Sequence, residues 1–91
     1  MHEAPHNVPI EDSIDLHTFQ PREIAIVVEE YLDQAQSKGF REVRIIHGRG
    51  VGVQRAIAHS ILKKHPAVAA FQDAPDRGST TVLLGPREQT N

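Results

Sequence analysis

The chain has 91 residues, 38% of them hydrophobic and 24% charged, which suffices for one domain with a thin core. The absence of cysteine excludes a disulfide framework and a thiolate metal site. No apolar run approaches the roughly 20 residues that span a bilayer, and the polar start, Met1 to Pro9, lacks the apolar segment of a secretion signal, so a cytoplasmic protein is expected.

Residues 1–12, with Pro5 and Pro9 and no periodicity, read as a flexible tail. Ser13 to His17 alternates, apolar at Ile14 and Leu16, and suits a first strand. Thr18 offers a hydroxyl cap and Pro21 suits an early helical position. Ile24, Val27, Val28, Tyr31, Leu32 and Ala35 then recur at helical spacing with acids between them, until Lys38-Gly39 ends the helix. Val43 to His47 is β-branched and nearly continuous in apolar character, as a buried central strand should be. Gly48 to Gly52 is a turn. Val53, Ala56, Ile57, Ser60 and Ile61 mark the expected inner face of a second helix, stopped by Pro66. Val68 to Phe71 and Thr80 to Leu84 are two further strands, separated by the turn-like Asp73 to Gly78. Residues 86–91 are expected to be a second tail, leaving one domain over residues 13–85.

The order β-α-β-α-β-β brings particular residues together. Two strands joined by a helix run parallel through a right-handed crossover, so the carboxyl ends of the first two strands share an edge, where ligands of open α/β sheets gather. His17 closes the first strand and His47 the second. If the strands are neighbours, the two backbones lie about 5 Å apart, or about 10 Å with one strand between. The second helix begins at the same edge and points its free amides there.

His47-Gly48-Arg49-Gly50-Val51-Gly52 is the strongest local signal. Glycines let the backbone approach a ligand, and a following helix N-terminus presents unpaired N–H groups. Arg49 and Arg55 add forked donors suited to phosphate oxygens. No Gly-Lys-Ser/Thr follows, so this is not a P-loop, and the spacing does not fit Gly-x-Gly-x-x-Gly. Arg22, at the start of the first helix, either faces the same phosphate or is solvated. Net charge is −2, yet residues 41–64 hold six basic side chains against one acid, whereas residues 1–40 hold two against eight. Such a concentrated basic stretch can supply phosphate contacts.

Asp15, His17 and His47 form the candidate reactive cluster. Asp15 and His17 share a face of a strand, an imidazole exchanges protons near neutral pH, and a carboxylate orients it. The same three side chains can instead ligate a divalent ion. His2, His6, His59 and His65 lack such company and read as surface residues, and Lys63 and Lys64 suit a helix C-terminus without a partner. With Phe19, Tyr31, Phe40 and Phe71 as the only aromatics, an exposed base-stacking platform is not expected.

Ile14-Asp-Leu-His17 and His47-Gly-Arg-Gly50 together resemble the Smr (small MutS-related) domain, whose members carry Leu-Asp-Leu-His-Gly on the first strand and His-Gly-x-Gly after the second. The resemblance runs from about Ser13 to Leu84, includes the Glu-Val-Arg-Ile-Ile run and His65-Pro66, and departs at Thr18, where the family motif has Gly. It implies a two-layer α/β (α+β) sandwich with a four-stranded mixed sheet, similar to the C-terminal domain of translation initiation factor three. It also implies DNA or RNA as the partner and, in several members, a nicking endonuclease or endoribonuclease, linked to DNA repair or recombination or to RNA quality control. The motif positions fall on Asp15, His17, His47, Gly48 and Gly50. Many relatives are tails of larger proteins, whereas this chain reads as free-standing.

The expected activity is endonucleolytic. Amides of the glycine turn (Gly48, Gly50, Gly52), with Arg49, Arg55 and Arg22, would hold the phosphate and stabilise its growing charge. His17 and His47 would act as base and acid, with Asp15 orienting His17. On RNA the nucleophile is a neighbouring 2′-hydroxyl; on DNA it is water, helped by a divalent cation such as Mg²⁺ or Mn²⁺. The alternative is a non-catalytic nucleic-acid-binding module, which Thr18 favours. A small metal-binding protein is the third reading.

Overall fold

A computed structural model describes residues 10–48 and 52–85. The elements are β1 (Ser13–Asp15), α1 (Pro21–Ser37), β2 (Glu42–Ile46), α2 (Val53–Lys64), β3 (Val68–Asp73) and β4 (Ser79–Leu84). The four strands form one mixed sheet in the order β1-β2-β4-β3. β1 runs parallel to β2 with Ile14 beside Ile45, and β4 runs antiparallel to both β2 and β3. The expected element order and mixed sheet are present, and the two strands that lead into His17 and His47 are direct neighbours.

α1 owes its length to a clean apolar stripe: Ile24, Val28, Tyr31, Leu32 and Ala35 are buried, spaced three or four residues apart along the inward face except for the adjacent Tyr31 and Leu32. It begins two residues later than a Thr18 cap would require. Gln20 occupies the capping position, its N–H donating to Glu23 Oε1 (2.9 Å), because Pro21 has no N–H to offer and sits where none is needed. Gly39 follows the helix at φ +89°, a conformation that disfavours side chains.

α1 and α2 pack against each other on one face of the sheet. Between helices and sheet lie Leu16, Val43, Ile45, Val82 and Leu84, with Ala58, Ile61 and Leu62 of α2. Two expectations are corrected here. β2 alternates between buried and exposed residues, with Arg44 facing solvent, because helices cover only one face of the sheet. The buried residues of α2 are Ala58, Ile61 and Leu62, while Val53, Ala56 and Ser60 are exposed. The helix is therefore rotated relative to the expected face: small residues gave an ambiguous period, and Leu62 supplies the larger apolar surface.

The tails expected at 1–12 and 86–91 fall outside the described residues except for 10–12. Those three are held: Ile10 packs on the core, Glu11 O accepts the Tyr31 hydroxyl (2.6 Å) and Asp12 O accepts Arg44 N–H (2.9 Å). Among the described residues no helix is long and apolar enough to cross a membrane.

Candidate functional site

Pairing between β1 and β2 continues past the end of β1, where Leu16 N–H donates to Ile46 O (2.8 Å). The chain therefore leaves both strands side by side, and the residues that follow are His17 and His47. Their side chains meet different environments. His17 is solvent-facing, its side chain 70% exposed, and Asp15 Oδ1 holds it twice, through the backbone N–H (3.0 Å) and ring Nδ1 (2.6 Å). Those two bonds, the backbone one foremost, keep the Asp15 carboxyl below its ordinary range and ionised. With Nδ1 engaged by the carboxylate, the ring carries its hydrogen there and presents Nε2 outward.

His47 turns the other way. Val43, Ile45 and His47 share one side of the strand by alternation, and that side faces the helices, so His47 is only 6% exposed. Its Nε2 lies 2.9 Å from Thr80 Oγ1 and its Nδ1 3.1 Å from Gly48 O. The neighbouring ring is that of His59, edge-on at 6.3 Å between centroids. His59 in turn stands edge-on to Phe71 at 5.0 Å.

The backbone at His47 and Gly48 is pinned. Gly78 O, at the end of the β3–β4 hairpin turn, accepts both His47 N–H (3.0 Å) and Gly48 N–H (2.9 Å). The Gly48 amide expected to face an anion is thus already engaged. Arg49, Gly50 and Val51 lie outside the described residues. Gly52 caps α2 at φ +93°, a left-handed conformation glycine adopts without strain, and the first amides of α2 have no partner within the helix. Gln54 Nε2, in that first turn, donates to Leu16 O and Phe19 O (3.2 Å each) and fastens the His17 loop to the start of α2. Arg22, exposed in the first turn of α1, stands at the same edge.

Arg55 does not project freely toward an anion. Its Nε and Nη2 both donate to Asp73 Oδ2, through the helix-facing side of β3. Asp73 Oδ1 accepts from Thr80 (2.8 Å) and lies 3.0 Å from His59 Nε2. Burial alone would raise the Asp73 carboxyl, but the bonds from Arg55, Thr80 and His59 outweigh it and hold the group well below the usual carboxylate range. The metal-ligating set expected from Asp15, His17 and His47 is likewise rearranged. Among the described residues, the three donors within 4.8 Å of one another come from His47, His59 and Asp73.

His59 and His65, read from sequence as partnerless, both have partners. His59 is 20% exposed in the network just described, and His65, 8% exposed, contacts Asp33 Oδ1 (2.9 Å) and accepts Ala67 N–H (3.0 Å). His47's inward direction was available in the parity of Val43 and Ile45; Asp73 and Thr80 required the β3–β4 register, which pairs them directly.

Comparison with known proteins places this arrangement. The family model for the Smr domain matches residues 14–84. Endonuclease MutS2 of Caldicellulosiruptor saccharolyticus is 41% identical over 76 residues, which cover 79% of this chain and 10% of that protein. Endonuclease MutS2 of Clostridium novyi is 40% identical over 60 residues, 66% of this chain and 8% of that protein. The chain thus spans about a tenth of the length of these curated relatives. Among solved structures, the Smr domain of Thermus thermophilus MutS2 superimposes with a TM-score of 0.78 at 30% identity, over 84% of this chain and 100% of that one. YdaL, a stand-alone small MutS-related protein from Escherichia coli, gives 0.76 at 27% identity, over 84% of this chain and 66% of that one.

Proposed function

This chain belongs to the Smr domain family, and from that premise we propose that it binds DNA or RNA in the cytoplasm and cleaves phosphodiester bonds in it. The observation that carries the reading is the exposed His17 imidazole, held by Asp15 beside the open N-terminus of α2. Backbone amides of the first turn of α2 and the Arg22 guanidinium hold the phosphate, together with Arg49 and Gly50 of the intervening turn. These donors act most strongly on the charge that develops on phosphate oxygens in the transition state. His17 Nε2 takes the proton of the nucleophile, a neighbouring 2′-hydroxyl on RNA or water on DNA, and Asp15 stabilises the imidazolium so formed; as the bond from phosphorus to the leaving sugar oxygen breaks, that oxygen takes its proton from solvent water. His47 acts from behind, its backbone and that of Gly48 fixing the start of the turn on Gly78 O. The relatives named endonucleases support the assignment, the proposal being that the shared tenth of their length carries the chemistry.

Two observations favour a second reading, a binding module without catalysis. His47 is interior, so the edge presents one exposed imidazole where an acid and a base were expected, and Thr18 stands in place of the family glycine. The full chain and its His17→Ala variant, incubated with supercoiled plasmid and with labelled RNA, each with EDTA and with Mg²⁺ or Mn²⁺, separate the two. Cleavage that disappears in His17→Ala while binding and melting persist supports the nuclease. Binding without product in every condition selects the module, and the absence of both overturns the proposal.

A further inference from the structure

The interior cluster behind the turn contains a proton shortage. Thr80 Oγ1 sits among three partners, 2.9 Å from His47 Nε2, 3.2 Å from His59 Nε2 and 2.8 Å from Asp73 Oδ1. His47 Nδ1 faces the Gly48 carbonyl oxygen at 3.1 Å, and a carbonyl only accepts, so the hydrogen of a neutral His47 ring is on Nδ1. Nε2 is then a bare lone pair, 2.9 Å from the Thr80 hydroxyl. That hydroxyl has one hydrogen, and it goes to Asp73 Oδ1. His47 Nε2 is left with oxygen lone pairs against its own at 2.9 Å. The deprived group is buried: His47 is 6% exposed, and an unpaired acceptor there carries its full desolvation cost.

We propose that His47 Nε2, His59 Nε2 and Asp73 Oδ1 form a binding site for one divalent transition-metal ion of the zinc class. The ion takes both imidazole lone pairs and the carboxylate oxygen, His59 carrying its hydrogen on Nδ1, and the His47 lone pair is no longer unpaired. The donors suit it: two imidazoles and one carboxylate match zinc, cobalt or nickel, whereas calcium and magnesium seek oxygen shells. Ligands about 2.1 Å from a tetrahedral ion stand about 3.4 Å apart. His59 Nε2 and Asp73 Oδ1 are already 3.0 Å apart, and one donor atom from each of the three residues lies within 4.8 Å of the others, so small side-chain rotations suffice to close the set. The outer shell is in place as well. His47 Nδ1 is anchored on a backbone carbonyl, and Asp73 Oδ2 is held by Arg55, which leaves Oδ1 to ligate. Thr80 Oγ1, within 3.2 Å of all three donor atoms, borders the remaining coordination position.

The other species that resolves the count is a second proton on His47 Nε2, so the experiment distinguishes an ion from a proton. It does not rest on the cleavage reading and uses no cleavage. The full chain, freed of metal by chelator dialysis, is titrated with Co²⁺ near pH 8 and read by visible ligand-field absorption, with Zn²⁺ competition and elemental analysis for stoichiometry. One equivalent binds. His59→Gln, checked for cooperative melting, weakens binding by more than about 100-fold, since even outer-shell partners of a ligand are worth roughly 10–100-fold. His17→Ala and the double variant His2→Ala/His6→Ala bind as wild type does. In the wild type itself, Zn²⁺ shifts the ¹⁵N resonances of His47 and His59 Nε2 and leaves His17 unmoved. Absence of cobalt absorption, its survival in His59→Gln, its loss in His17→Ala, or a hydrogen on His47 Nε2 at saturating zinc would each overturn the proposal.

Discussion

Replacing Gln54 by alanine removes a side-chain amide that fastens the His17 loop to α2. Both hydrogens of Nε2 are used, one on Leu16 O and one on Phe19 O, each at 3.2 Å. That length is at the weak end for an N–H···O bond. The losses are unequal, because Leu16 O keeps a second donor, Phe19 N–H at 3.0 Å, whereas Phe19 O loses the side-chain donor it has. One full neutral bond and a fraction of another come to about 1 kcal/mol, and the helix propensity of alanine returns a few tenths. A net loss of about 0.7 kcal/mol lowers Tm by roughly 3–6 °C in a domain of this size. The local effect is larger in kind: the loop is freed at one end, so Phe19 amide exchange accelerates while amides of Ile45 and Val82 keep their protection in proportion to global stability. Thermal unfolding by circular dichroism and hydrogen exchange by NMR read the two parts. A variant whose Tm and Phe19 exchange both equal those of wild type would refute the role given to Gln54.

Three further outcomes are expected. Tyr31, the only tyrosine in a chain without tryptophan, has its phenol pushed up to about 12, chiefly by burial and then by the charges of Asp12 and Glu11. The fold therefore keeps a proton that the unfolded chain releases near pH 10, and this contribution is intact below about 10 and lost as pH rises toward about 12, by at most about 1.4 kcal/mol per pH unit. Tyrosinate absorbance should titrate late, and Tyr31→Phe should show a shallower alkaline loss of stability than wild type. Gly52→Ala places a Cβ in open space at φ +93°, so its cost is backbone strain alone, about 1–2 kcal/mol, visible as a lower denaturant midpoint with an unchanged slope. Arg22→Ala should weaken oligonucleotide binding uniformly across sequences and reduce the slope of log K against log salt by about one.

The architecture was legible because the strongest signals were periodic. The stripe from Ile24 to Ala35, the β-branched run before His47 and the stops at Gly39 and Pro66 each admit one local structure, and their order leaves one parallel pair joined by a crossover. What was not legible depended on phase and register. In α2, Ala56, Ala58 and Ser60 differ too little in apolar surface to reveal which side is inward, so the rotation that carries Arg55 and His59 toward β3 could not be read. The pairing of Asp73 with Thr80 is a property of the hairpin register rather than of either residue. His47 is the instructive case: its motif suggested a ligand-facing ring, whereas its parity with Val43 and Ile45 sends the imidazole inward. For Asp15 and His17 the two-residue spacing sufficed, since the pair is local.

The proposed nucleic-acid site is tested most directly by amide and imidazole shift changes in the ¹⁵N-labelled chain titrated with a short single-stranded oligonucleotide. The perturbations should gather on His17, Arg22, Gly48 and the first turn of α2 from Gly52 to Gln54. Perturbations confined to the bare face of the sheet, in the depression lined by Arg44, Gln72, Thr81 and Leu83, would contradict it.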